Sequence, residues 1–293
     1  MIRRELVAAI AIVSGVMVAA TTAPAQTTDS TITGSSREQG FLPAIVFRPL
    51  IADPAEPQLG TALRSGDFSQ RGSLEGIATF GASLPILGFV SANKKTAVQV
   101  GAAGGMIARF DMHTRANDIV SEDYEIGFPV WMRSGIFGAR FRVYHRSSHI
   151  GDEFVLNNPG FTRFDMTYEA VEGVTGVTFG GARVYIGGDY IYHNATTRIA
   201  PGTLRIGGDL ISASGFDSGS LHGRWVAGLD VKASRDLDWR AAKSAVTGFE
   251  LSRAGSSSPA MRIMIELSSG PSTAGQFYGK SEKYVGLAAY ITP

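Results

Sequence analysis

Residues 221–232 read LHGRWVAGLDVK. Leu221, Trp225, Ala227, Leu229 and Val231 share one parity, and His222, Arg224, Asp230 and Lys232 share the other. A period of two is the pattern of a β-strand, whose successive side chains point to opposite faces. The polarity of the two faces decides the fold. A soluble β-sandwich alternates too, but with shorter strands and a polar outer face. Here one face is apolar and the opposite one carries charges of both signs. That arrangement fits a strand with lipid on one side and a polar lumen on the other.

The pattern recurs along the chain. In MRIMIELS, Met261, Ile263, Ile265 and Leu267 oppose Arg262, Met264 and Glu266. In RVYIGGDYIYH, Val184, Ile186, Tyr190 and Tyr192 oppose Arg183, Asp189 and His193. In TLRIGGDLI, Leu204, Ile206 and Leu210 oppose Arg205 and Asp209. Twelve strands are expected, near 58–66, 72–84, 96–110, 122–132, 136–149, 161–179, 182–193, 202–212, 220–232, 243–252, 260–268 and 282–291. Short turns such as Arg133-Ser134-Gly135 alternate with long connections such as 148–160 and 269–281. Short turns on one side and long loops on the other are the habit of outer-membrane barrels. The fold class is therefore all-β, a transmembrane antiparallel β-barrel of about 12 strands.

In that barrel Arg140, Arg142, Arg183, Asp189, Arg205, Asp209, Arg224, Asp230, Glu250, Arg262 and Glu266 point into the lumen. A barrel this narrow lets them pair across it, so the interior should be largely filled. Trp131, Trp225, Tyr144, Tyr192 and Tyr290 are expected in the aromatic girdles. Arg163, Asp165 and Glu169 are expected to face inward and join the arginines in an ion-pair network. His193 and His222 read as polar filling of the lumen.

The first 25 residues read as a secretory signal peptide: Arg3 and Arg4, an apolar run from Leu6 to Ala20, and Ala23-Pro24-Ala25 as the cleavage site. Residues 26–57 read as a disordered leader followed by a periplasmic segment, FLPAIVFRPLIADPAEP, which is proline-rich and not a strand. Residues 58–293 form the barrel. The chain has no cysteine, so disulfides and thiolate metal sites are excluded. A net charge of +1 gives no electrostatic footprint for nucleic acid. No glycine-rich loop follows a strand and opens a helix, so nucleotide binding has no support. The expected partners are outer-membrane lipids and the barrel-assembly machinery.

The densest polar chemistry is VYHRSSHIGDEF, residues 143–154. Parity puts Phe137, Ala139, Phe141 and Val143 on the lipid face, and His145, Ser147 and His149 with them. Two residues apart on one face means roughly 6.5–7 Å between Cα atoms, within reach of an imidazole-to-hydroxyl contact. A base beside a hydroxyl is the minimum for an activated serine, and the substrate in reach would be a lipid ester. A third group must orient the imidazole. Asp152, Glu153, Asn157, Asn158 and Thr162 are the nearby choices. The plainer reading of the same residues is a polar rim where the strand leaves the hydrocarbon. For a metal, His145 and His149 lie roughly 13 Å apart on a strand, too far to share an ion. Asp152, Glu153 and the two asparagines are oxygen ligands of the kind calcium takes.

The pair His145-x-Ser147 resembles the site of the outer-membrane phospholipase and lipid A deacylase barrels, which implies His145 as base and Ser147 as nucleophile. Ser148 stands where those enzymes typically have asparagine. A broader resemblance rests on PLIADPAEPQ (49–58), YHRSSHIGDEF (144–154), RFDMTYEAV (163–171), and GQFYG with KYVGLAAY (275–290). Together these are similar to the bacterial family called domain of unknown function 1207. The likeness implies a Gram-negative outer-membrane protein and brings no activity. Three functions stay open: a structural or lipid-interacting barrel, a lipid acyl-ester hydrolase, and a narrow channel.

Overall fold

A computed structural model describes residues 44–68, 72–195, 199–253 and 259–292. The expected signal peptide and the Thr/Ser-rich leader lie outside these residues. Alternating sequence becomes twelve strands. The first six are β1 (Leu59–Asp67), β2 (Leu74–Val90), β3 (Thr96–Asp111), β4 (Ile119–Ser134), β5 (Phe137–Ile150) and β6 (Met166–Phe179). The remainder are β7 (Ala182–Asn194), β8 (Thr203–Ser218), β9 (Leu221–Ser234), β10 (Ala241–Arg253), β11 (Ala260–Pro271) and β12 (Ser281–Thr292). Each pairs antiparallel with its sequence neighbours, and β1 pairs with β12 from Leu59–Ile291 to Asp67–Lys283, which closes the barrel. Short turns join β4 to β5, β6 to β7 and β8 to β9 at one end; the longer connections lie at the other.

The outer face is apolar. Phe128, Leu204 and Leu287 are 67%, 60% and 61% exposed, and nearly every large apolar side chain on an outward position is uncovered. A soluble monomer does not present so much apolar surface, whereas a barrel in a bilayer must. No described helix is long and apolar enough to cross a membrane.

The inward face is ionic. Arg140, Arg142, Arg183, Asp189, Arg205, Asp209, Asp230, Glu250 and Glu266 are buried. Arg224 and Arg262 also turn inward, both to Glu250. Glu172 sits among three arginines: Arg140 Nε at 2.8 Å, Arg142 Nε at 3.0 Å and Arg205 Nη1 at 3.6 Å. Charges taken out of water survive only when paired in this way.

Three expected girdle aromatics are inside instead. Trp131, Tyr144 and Tyr290 are 1%, 4% and 3% exposed. Their parity is that of inward neighbours: Trp131 follows Gly127 and Pro129, Tyr144 follows Arg140 and Arg142, and Tyr290 follows Gly286 and Ala288. Trp225 and Tyr192 do face outward.

The segment expected at the periplasmic side runs inside the barrel over its described part, Ala44 to Pro57. Phe47, Leu50, Ile51, Ala52, Asp53 and Glu56 are buried there. Phe47 packs on Trp131, Val174 and Tyr185, against Gly138, where a Cβ would meet its ring at 2.8 Å. Asp53 pairs with Arg205 at 2.7 Å, Arg48 with Asp209 at 2.7 Å, and Glu56 with Arg140. Prolines in this stretch keep it from joining the sheet, so wall side chains must meet its backbone polar groups. Gln99 does so twice, accepting from Val46 N at 2.9 Å and donating to Ala44 O at 2.9 Å. Gln99→Ala is expected to cost about 1–3 kcal/mol, because it strands two backbone groups. The reading is the urea midpoint in micelles together with proteolysis near Ala44. An unchanged midpoint would remove the clamp from the account.

The loop end is sealed by the connection 272–280 and by a short helix, α1 (Asp152–Asn157). Gly275 N donates to Asp123 at 3.2 Å, and Gln276 Nε2 donates to Ser148 O at 2.7 Å. Phe154 of α1 meets Phe161 and Phe277 edge to face, with centroids 5.3 and 5.5 Å apart.

Candidate functional site

Strand β5 delivers His145, Ser147 and His149 to the outer face near the loop end, as its parity requires. Register then decides what lies beside them. His145 is opposite Glu169 of β6, and Glu169 is opposite His193 of β7. The three side chains form a lateral row. His145 Nδ1 lies 2.9 Å from Glu169 Oε1, and His193 Nδ1 bonds Glu169 Oε2. The side chains are 41%, 30% and 64% exposed, so the row is open to its surroundings.

Two members of this row were expected in the lumen. In β6 the inward parity belongs to Tyr168, Ala170, Glu172 and Val174. Glu169 therefore faces out, and Arg163 and Asp165 precede the strand altogether. Arg163 Nη2 pairs with Asp152 at 3.0 Å, and Asp165 accepts from Thr167 at 2.8 Å. His193 is turned outward by a bulge: Glu169 is opposite His193 but Ala170 is opposite Ile191, which leaves Tyr192 as the extra residue. One inserted residue reverses the parity beyond it. The sequence did hold a signal for Glu169. Glu172 must join the arginines inside, and a residue three positions earlier takes the other face.

The other sequence-derived residues are spread out. His149 lies edge to face with Tyr124, centroids 5.8 Å apart. Asp152 and Glu153 open α1, and neither touches the row. Asn157 donates to Asp118 at 3.1 Å, and Asn158 donates to Phe154 O at 2.8 Å. These oxygens do not converge, and no group of three or more His, Asp or Glu suited to a metal occurs among the described residues.

Ser147 Oγ makes no hydrogen bond among the described residues, and neither does His145 Nε2. The next serine behaves differently. Ser148 faces the lumen, bonds Asp123, and accepts from Gln276 N at 3.1 Å. Ser148→Ala is expected to lower stability by about 1–3 kcal/mol, since it removes a bond to a buried carboxylate. The check is the unfolding midpoint; no loss would mean the loop clasp does not need the hydroxyl.

The family model for proteins of unknown function, DUF1207, matches residues 12–292. This chain is a member of the DUF1207 family. No curated relative matches its sequence. Among solved structures, outer membrane phospholipase A from Escherichia coli superposes with a TM-score of 0.52 at 11% identity, over 82% of this chain and 93% of the other. The calcium-bound dimer of the Salmonella typhi outer membrane phospholipase gives 0.53 at 11% identity, with the same coverage. At such identity the likeness extends to the fold alone. For this DUF1207 member it supports an outer-membrane type of barrel.

Proposed function

We propose that this barrel is a lipid acyl-ester hydrolase of the outer membrane, working at its lipid-facing side. The observation that carries the reading is Glu169 behind His145, 2.9 Å from Nδ1, on the same outward face as Ser147. A carboxylate on Nδ1 fixes the tautomer that leaves Nε2 as the basic nitrogen. Nε2 takes the proton of Ser147 Oγ as that oxygen attacks the ester carbonyl. The imidazolium, held by Glu169, then gives the proton to the leaving alkoxide, and an acyl-serine remains. Water, deprotonated by His145, releases the fatty acid and restores Ser147. Lipid is the substrate class because the row opens outward, beside Phe141 and Val143. A channel would first have to displace Ala44–Pro57 from the lumen.

The test is acyl release from phospholipid and from lipopolysaccharide by the detergent-refolded barrel, with calcium and with chelator, beside Ser147→Ala and His145→Ala. Release that both substitutions abolish in folded protein is expected. No release from folded parent protein would return the row to a polar rim and the chain to a structural barrel.

A further inference from the structure

Strands β10, β11 and β12 carry a band of cations on the outer face at their loop end. Register places Lys243 of β10 opposite Ser269 of β11, and Ser269 opposite Lys283 of β12. The three share the outward parity of Phe249, Leu267 and Val285, which are about half exposed. Two ladder spacings, roughly 10 Å, separate the lysines. Two further cations adjoin them. Arg240, just before β10, reaches across to the start of β12, with Nη1 3.5 Å from Ser281 Oγ and Nη2 3.4 Å from Gly279 O. Both acceptors are neutral. Lys280 is exposed between those two residues.

The acids of these strands are turned away, since Glu250, Glu266 and Glu282 are buried on the inward side. Arg235, Asp236 and Asp238 lie in the connection before β10, and Asp67 of β1 is opposite Lys283. With these flanks included the band stays positive. On β4 and β6 the outward positions near the loop end hold Glu122 and Glu169 beside histidines, so the cations belong to one wall and not to the whole rim.

One row turn-ward of the lysines the outer face is apolar, with Ala245, Leu267 and Val285 in register. Ile265 and Leu287 continue it. A lysine at the end of such a wall extends its ammonium to the level of the lipid headgroups. The long loops mark this as the outer-leaflet side. Cations above and an apolar wall below are complementary to an anionic headgroup carrying acyl chains. A free anion would gain nothing from the wall. Cations spread over two ladder spacings suit a headgroup with more than one phosphate.

We propose that this band is a docking surface for an outer-leaflet lipid with a multiply phosphorylated headgroup, in which Arg240, Lys243, Lys280 and Lys283 meet the phosphates and Leu267 and Val285 the acyl chains. The surface stands apart from the reading of Ser147, since it lies on another wall and needs no reaction.

The experiment is native mass spectrometry of the refolded full chain in detergent at low salt. The probes are lipid A, which carries two phosphates on an acylated disaccharide, and the same glycolipid with both phosphates removed. Binding is read in Ser147→Ala as well, so that loss of acyl chains is not mistaken for loss of the lipid. Retention of lipid A is expected, with the dephosphorylated form at least tenfold weaker. Lys243→Gln/Lys283→Gln should bind lipid A roughly twentyfold more weakly, about fivefold for each cation. Lys94→Asn/Lys95→Gln, which removes the same charge from the turn between β2 and β3, should bind like the parent. Pyrophosphate at a concentration equal to that of the lipid should not compete. Equal retention of the two glycolipids, undiminished binding in Lys243→Gln/Lys283→Gln, an equal loss in Lys94→Asn/Lys95→Gln, or displacement by pyrophosphate would each overturn the proposal.

Discussion

Glu169→Gln is expected to cut acyl release by about ten-thousandfold, the size of the effect when a histidine base loses its carboxylate. Glu169 bonds Nδ1 of two imidazoles, one through each oxygen. A glutamine offers one acceptor and one donor to those nitrogens. It carries no charge to stabilise the imidazolium that the proposed hydrolysis forms when His145 takes a proton from Ser147. His193→Ala is the instructive companion. It removes a neighbour of Glu169 and leaves the His145–Glu169 contact in place, so a far smaller loss is expected. Both are read as single-turnover acyl release from protein whose folded state is shown by gel migration with and without heating. Near-parental release from Glu169→Gln would remove Glu169 from the mechanism.

The second large effect is structural. Glu172→Gln should destabilise the barrel by about 3–5 kcal/mol, the usual result of removing one partner from a buried ion pair. The residue is 1% exposed, and Arg140, Arg142 and Arg205 all converge on it. Its loss leaves positive charge in a space with little water. Glu250 makes the contrast, because its partner Arg224 is 42% exposed. Solvent screens that side, so Arg224→Ala should cost about 1 kcal/mol or less. Urea midpoints of the two variants decide the matter; equal losses would mean that burial is not what makes Glu172 important.

The barrel was legible because its evidence is redundant. Twelve alternating runs, each with charges on one parity, agree with one another, and a mistake in one does not disturb the rest. The candidate site was legible only on β5, where Phe141 and Val143 set the parity of His145 and Ser147. Its third member was hidden by an assumption that charge means lumen. Near the loop end that fails, since a strand leaving the hydrocarbon can carry Glu169 outward. His193 was hidden by a bulge at Tyr192, which no period-two reading reveals. The lumen segment was hidden for a related reason. Proline content shows that residues 44–57 avoid the sheet but does not say where they go. Asp53 and Glu56 held the answer, because acids in an apolar stretch need cationic partners, and the arginines are inside.

That segment also bears on how the molecule comes into being. Ala44–Pro57 directly precedes β1, and β1 is one half of the seam with β12, the last strand made. Glu56 meets Arg140 across 84 positions of sequence, and Arg48 meets Asp209 across 161. Contacts so distant along the chain form late and slowly. A wall sealed first would leave the segment to thread into a lumen already closed around its partners. The simpler course holds Ala44–Pro57 against the curling sheet while the seam is still apart, so that zipping β12 onto β1 encloses it. Assembly on that course is a wrapping event, with the amino-terminal stretch as its mandrel.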